Sequence, residues 1–113
     1  MQKTLFERIA SGELAGEILY RDDTCFVLKD IQPQAPVHVL VIPLQPIPSL
    51  RHAKGEDALL LGHLLKVAAQ MAESLGLVQG FRVVINTGVD AGESVPHLHV
   101  HLLGGRSLGW PPG

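Results

Sequence analysis

Three histidines near the C-terminus alternate with aliphatic residues: residues 97–103 read His-Leu-His-Val-His-Leu-Leu. Because side chains alternate between the two faces of a β-strand, His97, His99 and His101 would share one face. On a helix they would be spread around the axis. Neighbouring imidazoles on a strand would lie roughly 6–7 Å apart, from a rise of about 3.3 Å per residue. The segment therefore predicts a strand with one apolar face for the core and one imidazole face that could converge on a small anion or a metal ion.

Three kinds of chemistry are open to such a face. A neutral imidazole, whose pKa is about 6.5, can attack an electrophilic phosphorus and form a phosphoramidate that water later hydrolyses, while neighbouring imidazoles orient it and move protons. His-x-His on a strand is also a metal-ligand pattern, and His38 could complete a zinc site. The third possibility is a nucleotide-binding module without turnover. Periodicity and spacing support the first two about equally and the third less.

Length and composition limit the classes of protein that fit. A chain of 113 residues with 46% hydrophobic and 18% charged content is typical of one globular domain with one core. The net charge of -2 gives no electrostatic basis for binding nucleic acid or an anionic membrane, so phosphate must be bound by local groups. Cys25 is the one cysteine, which excludes an internal disulfide and a Cys-pair zinc site, and we expect it to fill the core. With no apolar run of about 18 residues and no recognisable signal peptide, we expect a cytoplasmic protein.

The remaining chain predicts an α+β domain. Thr4 and Glu7 have the spacing of a capping box, so a short helix should begin there and stop at Ser11-Gly12. The apolar side of that helix would consist of Leu5, Phe6 and Ile9. Strands are expected at residues 17–21, 24–28, 37–42, 81–85 and 97–103, with a turn at Asp22-Asp23. This order favours a mainly antiparallel five-stranded sheet with one short and one long helix.

The long helix should run from about Gly55 to a stop at Gly76. Its apolar stripe would consist of Leu60, Leu64, Val67, Ala68, Met71 and Leu75. Leu59, Leu61 and Leu65 extend the apolar surface further, which either a second subunit or a thicker internal core would explain equally well. His52, before this helix, and His63, on it, have no partner nearby in sequence, and we expect no function for them.

Two loops flank the predicted histidine face. Residues 30–36 contain two prolines that make the loop stiff, so it is either the wall of a pocket or a rigid connector. Residues 86–94 combine glycines with short polar side chains and would bring Ser94 beside the imidazoles, as in a phosphate cradle, although such loops are common without a ligand. A lone histidine such as His38 in an apolar strand is usually a core residue, but three further histidines here could share its site.

The run at 97–103 matches the histidine-triad signature, His-φ-His-φ-His-φ-φ with φ hydrophobic. The similarity extends over nearly the whole chain, through Thr4-Leu5-Phe6, Asp30-Ile31, residues 33–38, residues 77–86 and residues 92–95. The sequence thus resembles the histidine triad (HIT) superfamily. The ends Leu103-Gly104-Gly105-Arg106 and Trp110-Pro111-Pro112-Gly113 resemble the Hint branch. The diadenosine-polyphosphate hydrolase branch generally lacks that tail, and the transferase branch carries glutamine where His101 stands.

The resemblance implies a single HIT domain over residues 1–113, with an extended tail at 106–113, and a purine nucleoside phosphoramidase. Such enzymes hydrolyse the P–N bond of AMP or GMP joined to an amine and also accept aminoacyl-adenylates. The alternatives are a dinucleoside polyphosphate hydrolase and a non-catalytic purine nucleotide-binding module. It also implies a homodimer whose sheets join into one ten-stranded sheet, with the tail and Trp110 reaching toward the partner's site.

The resemblance also implies roles for individual residues. His99 would be the nucleophile that becomes nucleotidylated, His101 and His38 would lie at the phosphate or behind His99, and His97 would orient His99. Nucleotide contacts would come from Asp30 on the ribose, from Phe6, Ile9, Ile31 and Leu40 around the base, and from Asn86, Gly92, Ser94 and Val95.

Two departures from the family pattern matter. Some Hint proteins were described as binding zinc through a cysteine and a histidine outside the triad. Here Cys25 matches, but Pro46 takes the place of the histidine, so we expect no functional metal and no cofactor. Pro96 stands before His97, where Hint proteins often carry an aromatic residue, and it removes one N–H donor on the leaving-group side.

Overall fold

The computed structural model describes residues 2–113 and contains one antiparallel five-stranded sheet between two helices. The strand order is β1-β2-β3-β5-β4. The helices and strands, in chain order, are α1 (Leu5–Ala10), β1 (Ile18–Arg21), β2 (Cys25–Lys29), β3 (Val37–Pro43), α2 (Ala58–Ser74), β4 (Phe81–Val84) and β5 (Val100–Gly104). The predicted α+β class and the five-stranded antiparallel sheet are confirmed, and the predicted hairpin strands are correct to within one residue at each end.

The first helix begins at the predicted capping box. The Thr4 hydroxyl accepts from the Glu7 backbone N–H at 3.1 Å, and the Glu7 carboxylate accepts from the Thr4 N–H at 2.9 Å. Phe6 and Ile9 are buried, whereas Leu5 is 46% exposed. The helix ends at Ser11, where Gly12 adopts a φ of +86° that favours glycine.

The histidine strand is shorter than predicted. β5 begins at Val100, where the last pair of its ladder with β3 joins Val41 to Val100, although β3 itself continues to Pro43 in its pairing with β2. His97 and His99 therefore lie in the extended segment that leads into β5 rather than in the ladder. The Leu98 N–H donates instead to the Ile47 carbonyl at 2.6 Å. The predicted alternation of faces is nevertheless present, since Leu98 is buried in the core while the neighbouring histidines face the other way.

The sheet separates two apolar clusters. The larger cluster packs between the sheet and α2, and its buried members include Cys25, Val27, Val39, Val41, Leu64, Val67, Met71, Leu98, Val100 and Leu102. The smaller cluster packs between the sheet and α1, and its buried members are Phe6, Ile9, Phe26, Leu28, Leu40 and Ile42. Cys25 is fully buried, as expected of a small core residue. The imidazole face of β5 lies on the α1 side of the sheet.

The extra apolar residues of α2, beyond its predicted stripe, are partly buried in this chain and partly exposed. A 3-10 turn at Gly55–Asp57 precedes it, and Gly76 follows its end with a φ of +75°. Leu61 packs against the internal cluster. Leu59 is 89% exposed and Leu65 is 49% exposed, so an internal core does not account for them. Among residues 2–113, no helix has both the length and the apolar character needed to cross a membrane.

The tail at 106–113 has neither helix nor strand, as predicted. The Arg82 guanidinium donates to the Gly109 carbonyl at 2.7 Å and lies 5.9 Å from the centre of the Trp110 ring. The Arg106 guanidinium donates to the Gln34 carbonyl at 2.9 Å. Trp110 is still 82% exposed, so within this chain it contacts Arg82 and is not buried.

Asp22 is the hydrogen-bonded centre of the β1–β2 turn. Its carboxylate accepts from the Thr24 and Cys25 backbone N–H groups, each at 2.8 Å. It also accepts from the Tyr20 hydroxyl at 2.9 Å and from His63 Nε2 at 2.7 Å. Burial raises the pKa of Asp22, but the hydrogen bonds together outweigh burial and hold the pKa well below its usual range. His63 thus ties α2 to this turn, a structural contact that the sequence did not reveal.

Replacing Asp22 by Asn should lower the free energy of unfolding at pH 7 by about 1–3 kcal/mol, because buried donors lose a charged acceptor. The pKa of Asp22 is depressed in the folded state, so its contribution is present above the unfolded pKa of about 3.9 and is lost as the pH falls toward the folded value. Denaturant unfolding from pH 7 to pH 2 should therefore show the gap between wild type and Asp22→Asn narrowing below about pH 4. Asp23→Asn, at the exposed neighbouring position, is the control. Equal effects of the two substitutions would contradict the assignment.

Candidate active site

Four histidines from two adjacent strands meet on the α1 face of the sheet. His38 lies on β3, His101 lies on β5, and His97 and His99 lie in the segment that leads into β5. His38, His97 and His99 are buried, and His101 is half-buried. The ring centres of His99 and His101 are 5.1 Å apart, and those of His38 and His101 are 5.2 Å apart. The four predicted imidazoles therefore form one cluster.

The hydrogen bonds of His97 assign its tautomer. His97 Nε2 lies 2.8 Å from the Pro43 carbonyl oxygen, which can only accept, so Nε2 carries the proton. His97 Nδ1 lies 2.6 Å from the Thr4 hydroxyl oxygen and therefore accepts from it. Burial lowers the pKa of His97, and the bond to Pro43 opposes this only in part. His97 is thus a neutral ring held on both sides.

The hydrogen bond of His99 leaves one nitrogen free. His99 Nδ1 lies 2.7 Å from the His97 carbonyl oxygen and must donate to it. In the neutral ring, Nε2 then carries a lone pair and no proton. Within residues 2–113, the ring of His99 makes its hydrogen bond through Nδ1, and Nε2 has no hydrogen-bond partner. His99 therefore presents an unpaired nitrogen that carries no proton in the neutral ring.

His38 and His101 form a directed pair. The Gln34 backbone N–H donates to His38 Nδ1 at 3.0 Å, so His38 carries its proton on Nε2 and donates it to His101 Nδ1 at 2.9 Å. His101 consequently carries its own proton on Nε2. Burial, followed by the nearby His99 and His38, lowers the pKa of His101 to about 4, and the Asp30 carboxylate opposes the shift. Burial likewise lowers the pKa of His38, although Asp30 Oδ2 lies 3.4 Å from His38 Nε2.

Phe6 brings α1 against this cluster. Its ring meets those of His97 and His99 nearly edge to face, with centres 5.6 Å and 5.1 Å apart. Ile9 and Leu40 are buried in the same apolar cluster, and Leu40 is the ladder partner of His101. These residues, predicted to surround the base, line the apolar side of the site next to the imidazoles.

Other predicted site residues lie farther out in this chain. Ser94 is exposed and Asn86 is half-buried, and within residues 2–113 neither donates to the four histidines. Ile31 is 92% exposed on its loop. Gly92 is exposed with a φ of +78°, at the end of a 3-10 turn at Val89–Ala91. Val95 packs against the apolar cluster of α1.

Sequence reasoning missed three groups that hold the imidazoles: the Thr4 hydroxyl, the Gln34 backbone N–H and the Pro43 carbonyl. Thr4 was recognised as a helix cap, but its contact with His97 spans 93 positions in sequence and has no local signal. The stiffness of the loop before His38 was recognised, but a backbone donor in that loop cannot be inferred from residue types.

The model of the HIT domain family matches residues 11–108. The chain belongs to the HIT domain family. An uncharacterised HIT-like protein of Synechococcus elongatus is 53% identical over 99% of this chain and 98% of its own length. One of Synechocystis sp. is 51% identical with the same coverage. Membership in the family, inferred from the triad motif, is therefore confirmed.

Solved structures show the same HIT fold. A HIT family hydrolase from Legionella pneumophila Philadelphia 1 superposes with a TM-score of 0.95 at 39% identity and covers 98% of this chain and 100% of that chain. A histidine triad nucleotide-binding protein from Candida albicans superposes with a TM-score of 0.80 at 29% identity, covering 96% of this chain and 83% of that one.

In the described part of the chain, residues 2–113, two groups of side chains each bring three possible metal-ligand atoms within 4.8 Å of one another: Asp30, His38 and His101, and Asp22, Cys25 and His63. In the first group, His38 and His101 bind each other. In the second, the Asp22 carboxylate already accepts from His63, and burial raises the pKa of the Cys25 thiol to about 12, which opposes the thiolate that zinc requires. Pro46 offers no side-chain ligand. The residues therefore do not fit the cysteine–histidine zinc site, and the expected absence of a functional metal stays a prediction.

The ring of His101 should become protonated only at a pH well below the usual pKa of histidine, because burial lowers its pKa. Titration followed by NMR of labelled histidines should give His101 a midpoint near pH 4. Asp30→Asn should move that midpoint lower still, because the carboxylate that favours the protonated ring is lost. Asp90→Asn, at an exposed loop position, should leave it unchanged. A wild-type midpoint near the ordinary value of about 6.5 would show that the ring is not buried as described.

Proposed function

We propose that this protein hydrolyses the P–N bond of purine nucleoside phosphoramidates through a covalent nucleotidyl-histidine on His99. The substrates would be AMP or GMP joined to an amine, and aminoacyl-adenylates. The observation that carries the proposal is the bond from His99 Nδ1 to the His97 carbonyl at 2.7 Å. It leaves Nε2 as a lone-pair nitrogen, and such a nitrogen can act as a nucleophile toward phosphorus at neutral pH.

In the first step, the lone pair of His99 Nε2 attacks phosphorus and the P–N bond breaks. The amine leaves with the electron pair of that bond and takes the proton from His101 Nε2. His38 Nε2 keeps its proton and donates it to His101 Nδ1 at 2.9 Å, which stabilises the negative charge on the His101 ring until the second step returns its proton. The His99 ring, now bonded at both nitrogens, is positively charged, and the His97 carbonyl accepting from Nδ1–H stabilises that charge.

In the second step, water attacks the same phosphorus on the nucleotidyl-histidine. Its hydroxyl forms the new P–O bond, and its proton returns to His101. The P–Nε2 bond breaks and gives its electron pair back to His99. One water is consumed, AMP or GMP and the free amine are released, and every ring regains its starting proton. As proposed, the reaction uses no metal, and both proton transfers would pass through His101, with His38 hydrogen-bonded behind it.

The surroundings support binding of a nucleotide. Ile31, 92% exposed beside Asp30, offers apolar surface to a purine, and the Asp30 carboxylate would accept from the ribose hydroxyls. The proposal assigns the phosphate and leaving-group side to the segment that contains Asn86, Gly92, Ser94 and Val95. The names of the solved relatives, a HIT family hydrolase and a histidine triad nucleotide-binding protein, agree with a hydrolase that binds nucleotides.

If the protein belongs to the Hint branch, as the proposal holds, it would be a cytoplasmic homodimer in which the two sheets form one continuous ten-stranded sheet. The edge strands β1 and β4 are both available in this chain. A second subunit would cover three exposed apolar side chains, Leu59, Phe81 and Trp110, which are 89%, 45% and 82% exposed. The C-terminal tail would then reach toward the active site of that second subunit.

His99→Asn should lower turnover of an AMP–amine conjugate by about a thousandfold or more, because the proposed nucleophilic nitrogen is lost. AMP binding, measured by calorimetry, should persist. Acid quenching of wild type with labelled substrate should trap AMP on the protein, and His99→Asn should trap none. His52→Asn, at an exposed histidine, is the matched control. Undiminished turnover by His99→Asn would contradict the assignment of the nucleophile.

The same assay separates the alternatives. If the labelled AMP never becomes attached to wild-type protein while AMP still binds, the protein would be a binding module without turnover. Faster cleavage of dinucleoside polyphosphates than of phosphoramidates would indicate that other hydrolase class.

Removal of metal should leave activity unchanged. Dialysis against EDTA should alter neither kcat nor KM, and the purified protein should carry no stoichiometric zinc by elemental analysis. Activity that disappears with EDTA and returns with zinc would favour metal-dependent chemistry at the imidazoles instead.

A further inference from the structure

We propose that Thr4 is a positioning residue for the reaction: its hydroxyl fixes the ring of His97, and through His97 it fixes the orientation of the nucleophile His99. The inference rests on the proposed function and deepens it. It starts from one contact, the 2.6 Å hydrogen bond between the Thr4 hydroxyl and His97 Nδ1. It links the N-terminus of α1 to the segment that leads into β5.

The direction of this hydrogen bond is determined by its neighbours. The Thr4 oxygen already accepts from the Glu7 N–H at 3.1 Å, and the single hydroxyl hydrogen is then left for His97 Nδ1. On its far side, His97 donates from Nε2 to the Pro43 carbonyl at 2.8 Å. The Thr4 donor and the Pro43 acceptor therefore select the same tautomer of His97 and clamp the ring from both ends.

The position of the His97 ring matters because its own backbone carbonyl holds His99. That carbonyl accepts from His99 Nδ1 at 2.7 Å. Residues 97–99 lie before the ladder of β5, so pairing with β3 does not fix this peptide. The Leu98 N–H bond to Ile47 holds one side of the segment. The ring clamped between Thr4 and Pro43 holds the other, and so sets the direction of the carbonyl.

Thr4 also has an ordinary structural role as the N-cap of α1, and the two roles can be separated chemically. Capping needs only an oxygen that accepts from the helix N–H groups, which Ser and Asp supply as well as Thr. Holding His97 Nδ1 needs a hydroxyl that donates. Ser keeps both functions, Asp keeps capping alone, and Val, which matches the shape of Thr, loses both.

The test compares Thr4→Ser, Thr4→Asp and Thr4→Val by steady-state kinetics on an AMP–amine conjugate and by nitrogen-15 NMR of the imidazoles. Thr4→Ser should retain wild-type kcat. Thr4→Asp should keep or raise the unfolding midpoint, yet lose about tenfold in kcat, the effect of one hydrogen bond. KM should change little, because Thr4 holds His97 and not the nucleotide. The Nδ1 resonance of His97 should leave the hydrogen-bonded acceptor range in both Thr4→Val and Thr4→Asp, because neither side chain donates to that nitrogen.

Glu7→Ala is the matched control, since it removes the other half of the capping box and leaves the Thr4 hydroxyl in place. Its kcat should stay within about twofold of wild type even though α1 is less stable. Wild-type kcat in Thr4→Asp, or unchanged His97 resonances in Thr4→Val, would overturn the proposal. A wild-type protein without phosphoramidase turnover would refute the proposed function instead, and the imidazole resonances would still decide whether Thr4 fixes His97.

Discussion

The hydrogen bond from His99 Nδ1 to the His97 carbonyl is the contact on which the proposed chemistry of this domain depends. A peptide carbonyl cannot donate, so this bond allows only one neutral tautomer and leaves Nε2 with its lone pair. Residues 97–99 lie outside the β3–β5 ladder, whose last pair joins Val41 to Val100. The His97 carbonyl is therefore not held by a ladder bond to β3, and it accepts from His99 Nδ1 instead.

Burial is the second constraint on the histidine cluster, because it determines whether the imidazole rings are charged or neutral. Desolvation lowers the pKa of His38, His97 and His101 below the ordinary value, so these rings are neutral near pH 7. Neutral rings can relay protons, whereas four clustered imidazolium ions would repel one another. A chain with a net charge of -2 offers no field that would attract a nucleotide from a distance. Under the proposed function, binding of a nucleotide would therefore depend on N–H and O–H donors at short range, of which the Nε2–H of His101 would be one.

The sequence predicted those features that follow from the spacing of nearby residues. It did not predict features that depend on a contact with a residue far away in the sequence. Alternation in residues 97–103 placed the imidazoles on one face, and the spacing of Thr4 and Glu7 located α1. The start of β5 was predicted three residues too early, because a ladder's length depends on its partner as well as on its own residues. The donors to the rings, a hydroxyl on α1 and a backbone N–H in the loop before His38, are tertiary contacts that no spacing reveals. The distribution of apolar residues on α2 was predictable, but what covers Leu59 and Leu65 was not.

The stability of α1 and the geometry of the site depend on each other. A helix of six residues is far below the length at which a helix is stable alone in water, so tertiary contacts must hold it. Its buried contacts are with the apolar cluster and with the imidazoles, through Phe6 on His97 and His99 and through the Thr4 hydroxyl. The imidazoles in turn gain their orientation and their low exposure from α1. A change that loosens the first turn of this helix therefore acts on the tautomer of a buried ring, whereas the apolar cluster on the α2 side of the sheet and the Asp22–His63 contact do not include residues of α1.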